Sequence, residues 1–255
     1  MPTFALTRGI SAAMNRCELV HMKRVPLNLN LLEEQHREYE HLLVSLGCHL
    51  IELPAEDTVP DSVFVEDTAI VFDDFAVIAR PGAESRRPEV PSVAAELEGY
   101  LELERIVAPG TLDGGDILRV GKTVFAGVSS RSNPSGVDQL ETIVTKRGYV
   151  LRRVDIELCL HLKSAVTCIG GDHLLVNPAW VDVSPFYGYD LTEIDAREPA
   201  AANALLVGDT VIHGQDFPRT RARMEDKGIR VAPVEISEIA KAEGAVTCCS
   251  LLFDA

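Results

Sequence analysis

Three short stretches of the 255-residue chain hold the side chains needed for covalent catalysis: LDGGD at 112–116, LHLKS at 160–164 and TCCS at 247–250. Between them they supply a carboxylate, an imidazole and a thiol. A thiol attacks as the thiolate, an imidazole that titrates near neutrality passes protons to and from a leaving group, and a carboxylate fixes its tautomer. Distance along the chain is no obstacle, because such triads assemble in space. Each piece also has a commoner use: Asp before Gly-Gly makes turns, His between leucines sits in buried strands, and Cys in an apolar run packs. Cys159, His161 and Cys248 could also offer zinc donors, but the close-spaced ligand pairs of structural zinc sites are missing.

A second group flanks these. PDSVFVED at 60–67 reads as a short strand whose alternation puts Asp61 and Asp67 on one face and Glu66 on the other. Two carboxylates on one face can clamp a planar cation. Arginines follow in RPGAESRR at 80–87 and SSRSN at 129–133, where Arg86 or Arg87, with Arg131, could grip a carboxylate bidentately. A cation clamp, an anion clamp and a thiol together describe a site for an amino acid with a guanidinium tail.

The elements that would position these residues recur. Apolar strand-like runs flank polar turns at Asp73-Asp74, Gly121-Lys122, Gly171-Asp172 and Gly208-Asp209, at intervals of 48, 50 and 37 residues. Helical patterns follow at 134–148 and 217–229, each with Pro in the first turn and Gly at the C-cap, and at 90–99; an earlier one covers 31–47. Strands close each unit, as in YVLRRVD and IRVAPVE. The module reads strand, strand, helix, strand, and about five of them fit the length. The last is split between AVTCCSLLF at the C-terminus and FALTRG at the N-terminus, so pairing the ends closes a ring around an axis where loops converge. No linker-like tract interrupts residues 1–255, which predicts a single domain.

The formal net charge of −15 argues against nucleic acid or an anionic membrane as partner and suits a small cationic ligand. No apolar run reaches the length of a transmembrane helix and no signal peptide is evident, so a cytoplasmic location is expected. Six cysteines without a C-x-x-C pair read as reduced thiols.

PDSVFVED, RPGAESRR, LDGGD, SSRSN, LHLKS, AAN at 201–203 and TCCS together resemble the dimethylarginine dimethylaminohydrolases, in order over nearly the whole chain. That resemblance implies the α/β five-module propeller (pentein-type) of the guanidine-modifying superfamily, in agreement with the repeat. It implies a hydrolase that converts Nω,Nω-dimethyl-L-arginine or Nω-methyl-L-arginine to L-citrulline and dimethylamine or methylamine. A covalent thiouronium intermediate forms on the way. The family nucleophile falls on Cys248, the acid/base on His161 and its carboxylate partner on Asp113; Cys249 is left to packing. Asp61, Glu66 and Asp67 fall at the guanidinium, Arg86 and Arg131 at the substrate carboxylate, and backbone groups of Leu19 and Ala242 at the α-amino end. Residues 14–30 fall on the family's mobile lid. No metal or other cofactor is implied, and the protein would act as monomer or homodimer. Rival readings are an arginine deiminase or an amidinotransferase, or a non-enzymatic propeller that only binds.

Overall fold

The computed structural model describes residues 1–255. Its strands, in chain order, are β1 (Thr3–Arg8), β2 (His49–Leu53), β3 (Ala69–Val71), β4 (Phe75–Ile78), β5 (Glu102–Arg105), β6 (Ile117–Val120), β7 (Thr123–Val128), β8 (Val150–Asp155), β9 (Val166–Gly170), β10 (His173–Val176), β11 (Asp190–Glu193), β12 (Ala204–Val207), β13 (Thr210–Gly214), β14 (Arg230–Val234) and β15 (Leu251–Asp254). The helices are α1 (Leu29–Ser45), α2 (Val90–Leu97), α3 (Pro134–Lys146), α4 (Leu162–Ala165), α5 (Pro218–Glu225) and α6 (Ser237–Ala240).

The strands form five three-stranded sheets with one repeated connection. In β3-β4-β5, β6-β7-β8, β9-β10-β11 and β12-β13-β14 the first strand pairs antiparallel with the second, and the second pairs parallel with the third. Three of these hairpins turn on Gly121, Gly171 and Gly208, whose φ values of 55°, 51° and 58° lie where only glycine sits without strain. The fifth sheet is β15-β1-β2, with Thr3 opposite Asp254 and Leu6 opposite Leu251, so the chain ends close the ring as expected. A mixed α/β propeller of five modules results.

The first strand of every module faces the axis. Ala69–Val71, Ile117–Arg119, Thr167 and Cys168, Ala204–Leu206, and Leu251 and Leu252 line an axial cavity of about 220 Å³. Helices lie outside the ring: α3, capped by the Asn133 side chain on Gly136 N, buries Val137, Leu140 and Val144 against the β6-β7-β8 sheet.

Three local expectations change. PDSVFVED is not a strand: Asp61 O accepts from Phe64 N, and Val65–Thr68 closes a 3-10 turn with Thr68 Oγ1 on Val65 O. The β preference of Val63 and Val65 loses because no neighbouring strand is there to pair, and both side chains are buried just as well in the turn. The run AVTCCSLLF is a strand only from Leu251, which leaves Cys248 in a turn. The crossover of the β9-β10-β11 sheet has no α-helix, only a 3-10 turn over Ser184–Phe186, where Pro178, Pro185 and Gly188 break any helical register. No helix is long and apolar enough to cross a membrane.

Candidate active site

The repeat itself assembles the site. Asp67, Asp113, His161, Asn203 and Cys248 each lie just before the inner strand of a different module, ahead of β3, β6, β9, β12 and β15. Inner strands of a closed ring converge, so five loops far apart in sequence deliver one residue each to the same end of the axis.

His161 sits at the centre of the acidic part. Its Nε2 is 3.2 Å from Asp113 Oδ2, and its Nδ1 is 3.8 Å from Asp67 Oδ1. Burial disfavours the imidazolium, but Asp67 and Asp113 outweigh it and raise the pKa from 6.5 to about 9. Asp113 is fully buried; Gly82 N donates to its Oδ1 at 2.9 Å, and its own N–H donates to Ser132 Oγ at 3.0 Å. Gly115 N donates to Asp67 Oδ1 at 2.8 Å. A Cβ at Gly115 would lie 2.6 Å from His161 Nδ1, so only glycine lets this loop come so close. Asp116 accepts from Leu162 N and Ser129 Oγ, which fixes the backbone next to His161. Burial pushes the Asp116 carboxyl up to about 6.

Cys248 is partly exposed, and Cys249 beside it is buried. Burial, then the Glu66 and Asp67 carboxylates, push the Cys248 thiol well above its ordinary range, so it is protonated without a cation nearby. Glu66 is itself held: Lys163 Nζ donates to one oxygen at 2.7 Å and Thr247 Oγ1 to the other at 2.8 Å, while Glu66 N donates to the Cys248 carbonyl at 3.2 Å. Asn203 Nδ2 donates to Thr247 Oγ1 and to the Lys163 carbonyl, and Thr247 N donates back to Asn203 Oδ1. Tyr39 OH donates to Val246 O from behind. The turn that carries the thiol is thus fixed on three sides.

The two arginines differ sharply. Arg86 Nη1 contacts Asp67 Oδ2 at 2.5 Å, Nε and Nη2 meet both oxygens of Glu89, and Nη2 also donates to Phe64 O at 3.0 Å. Its fork lies on Glu89, and one N–H, on Nη1, is left over. Arg87 instead pairs with Glu84 near the surface. Arg131 is 7 % exposed, and its buried Nη1 has no hydrogen-bond partner. A buried guanidinium nitrogen without a partner is costly unless an anion meets it.

Asp61 is buried, and both of its oxygens accept from Glu18 N at 3.1 Å. Leu19 follows immediately, partly buried against the core, and Ala242 is 3 % exposed. Neither the Leu19 nor the Ala242 carbonyl receives a backbone N–H, so both remain free to accept from an ammonium group.

Asp67, Asp113 and His161 also offer one donor atom each within 4.8 Å of one another, which a divalent cation could share. Cys159 does not join them, because its Sγ rests 3.3 Å from the carbonyl of His161. Sequence reasoning gave no role to Asn203, Lys163, Thr247, Asp116 or Gly115. The repeat carried a signal for Asn203, since it occupies in its module the place that Asp113 and His161 occupy in theirs.

The family model described as arginine deiminase matches residues 57–193. The chain is 37 % identical to the N(G),N(G)-dimethylarginine dimethylaminohydrolase of Pseudomonas aeruginosa, over 86 % of this chain and 87 % of that one. It is 35 % identical to the enzyme of the same name from Streptomyces coelicolor, over 97 % and 95 %. The crystal structure of the Pseudomonas aeruginosa enzyme, as a cysteine-to-serine variant in complex with citrulline, superposes with a TM-score of 0.94 at 34 % identity and covers 99 % of this chain and 100 % of that one. The chain belongs to the dimethylarginine dimethylaminohydrolase family.

Proposed function

We propose that the protein hydrolyses Nω-methylated L-arginine to L-citrulline and a methylamine, with Cys248 as nucleophile, His161 as acid and base, and Asp113 as the group that orients His161. The observation that carries this reading is the convergence of Cys248, the His161–Asp113 pair and Asp67 at one end of the ring, with Arg131, whose Nη1 is unpartnered, tied to the Asp116 loop through Ser129 Oγ. The match to an enzyme seen with citrulline supports it.

The guanidinium carbon is a poor electrophile, so it must be held in register and meet a strong nucleophile. Glu66 and Asp67 keep free lone pairs after their internal contacts and can accept from the guanidinium N–H groups, with Asp61 near the lid. Arg131, helped by the single spare N–H of Arg86, receives the substrate carboxylate, and the Leu19 and Ala242 carbonyls receive the α-ammonium. Burial and the carboxylates keep the Cys248 thiol protonated; the bound cation offsets both, so binding favours the thiolate, with the thiol proton released to solvent.

The thiolate then adds to the guanidinium carbon. Collapse breaks the bond to the methylated nitrogen, which leaves as amine with a proton from His161, and a thiouronium remains on Cys248. The neutral imidazole next takes a proton from water, the hydroxide adds to the same carbon, and the carbon–sulfur bond breaks to release citrulline. These residues supply every proton and the nucleophile, and residues 1–255 serve as one catalytic unit. Six unpaired thiols fit a reducing cytoplasm.

The match to the arginine deiminase model favours one second reading, in which unmethylated arginine is the substrate. Citrulline release from asymmetric dimethylarginine, Nω-methylarginine and arginine separates the two. Turnover of the methylated substrates supports the proposal, turnover of arginine alone supports the second reading, and none with any of the three removes both.

A further inference from the structure

Glu243 ends α6 in the left-handed position of a Schellman cap, with Gly244 N on Ile239 O and its own N–H on Ala240 O, a place usually taken by glycine. Its φ is 58°, the only positive value among the non-glycine residues, in a region that costs such a residue about 1 kcal/mol or more. The next residue shows why the strain persists: a Cβ on Gly244 would lie 2.5 Å from the Phe64 ring and 2.8 Å from Ile239 Cγ2, so packing fixes the chain there. The carboxylate reaches residues 20–22. Val20 N donates to both of its oxygens at 3.2 and 3.0 Å, and His21 N donates to Oε1 at 2.7 Å. Met22 N is bonded to the same oxygen. Three successive backbone N–H groups converging on one carboxylate form an anion nest, with the anion supplied by the protein.

The other end of this stretch is fixed as well, by Glu18 N on the Asp61 carboxylate. Leu19 lies between the two anchors, and Ala242, the other candidate for the substrate's α-ammonium, is the residue before Glu243. His21, Met22 and Glu243 share the wall of a cavity of about 260 Å³, so the segment has room to swing if the anchor is lost.

We infer that Glu243 is a positioning residue for substrate binding: its carboxylate latches residues 20–22 so that the Leu19 and Ala242 carbonyls face one another across the α-ammonium. The hydrogen bonds of the Glu243 carboxylate all go to residues 20–22, so it acts on affinity and not on the chemical steps. The inference rests on the reading of the site as one for an α-amino acid.

The test compares Glu243→Gly and Glu243→Gln with wild type by amide hydrogen–deuterium exchange over residues 18–24 and by steady-state kinetics with asymmetric dimethylarginine. Glycine removes both the latch and the strain; glutamine keeps the size with one accepting oxygen and no charge. The expected result is exchange at 20–22 faster by about tenfold or more, KM up about tenfold and kcat within about twofold for glycine, with glutamine intermediate and the Tm of the glycine variant unchanged or raised. Unchanged exchange in both variants, or a loss confined to kcat, overturns the inference. If glycine prevents folding, the glutamine variant decides by the same criteria. Exchange needs no turnover, so the latch stays testable even if the wild type releases no citrulline.

Discussion

Arg86 Nη1 lies 2.5 Å from Asp67 Oδ2, with each side chain 4 % exposed. A carboxylate read from sequence as a cation clamp and an arginine read as an anion clamp are joined to each other. The second carboxylate on Arg86, Glu89, is fully buried; burial raises it to about 7 despite the guanidinium beside it. Breaking a buried pair by removing one partner is costly, so Arg86→Met should lose about 3–5 kcal/mol of stability in urea denaturation.

Arg131 should behave in the opposite way. Its Nη1 has no partner to lose, so Arg131→Met leaves the urea midpoint nearly unchanged or raises it, while KM for the methylated amino acid rises by about a hundredfold or more. Steady-state kinetics and denaturation on the same two variants separate an arginine that holds the fold from one that waits for an anion. Equal stability losses in both would contradict this division.

His161 titrates high because Asp67 and Asp113 outweigh the effect of burial, with the pKa raised to about 9. The sign follows: a folded-state value above the unfolded one adds stability that is complete below about 6.5, declines as pH rises, and is gone above about 9. The stability difference between wild type and His161→Ala should therefore shrink from pH 6 to about pH 10. In NMR titrations the imidazole should move to lower pH in Asp113→Asn, which keeps the hydrogen bond and drops the charge. An imidazole that titrates near 6.5 in wild type would show that the carboxylates do not act on it.

Gly115→Ala tests how closely the LDGGD loop approaches the imidazole. The added methyl would lie 2.6 Å from His161 Nδ1 and 2.8 Å from Asp67 Oδ1, so the ring must move. A displacement of about 1 Å at a proton-transfer group costs on the order of 10²-fold in kcat. Circular dichroism should stay native, and activity near wild type would mean that His161 need not stand where it does.

Much of this site is legible in the sequence. The hairpins and the closed ring follow from turn residues and from the period of the repeat, because a glycine at φ near +55° and alternating strands are local properties. What did not follow was decided between modules. Val63 and Val65 read as a strand but fold into a turn, since strand formation needs a neighbour that composition does not reveal. The closed fork of Arg86 on Glu89, and its bond to Asp67, depend on burial that brings three charges together. Asn203 lay in a quoted motif, yet its role appears only once the ends of the inner strands are known to meet.

Asn203 then yields its own prediction. Its amide bridges the Lys163 carbonyl and both polar groups of Thr247, next to Cys248. Asn203→Ala should lower kcat by about ten- to a hundredfold through a looser turn, at a stability cost of about 1–3 kcal/mol for the polar groups left unpaired. Kinetics and thermal unfolding check the two parts separately.

The central claim is that Cys248, and not its neighbour, attacks the guanidinium carbon. Citrulline release from asymmetric dimethylarginine by wild type, Cys248→Ser and Cys249→Ser tests it most directly. The account predicts a loss on the order of 10³-fold or more for Cys248→Ser and a rate within about threefold of wild type for Cys249→Ser. The reverse ranking, or full activity in both variants, would contradict it.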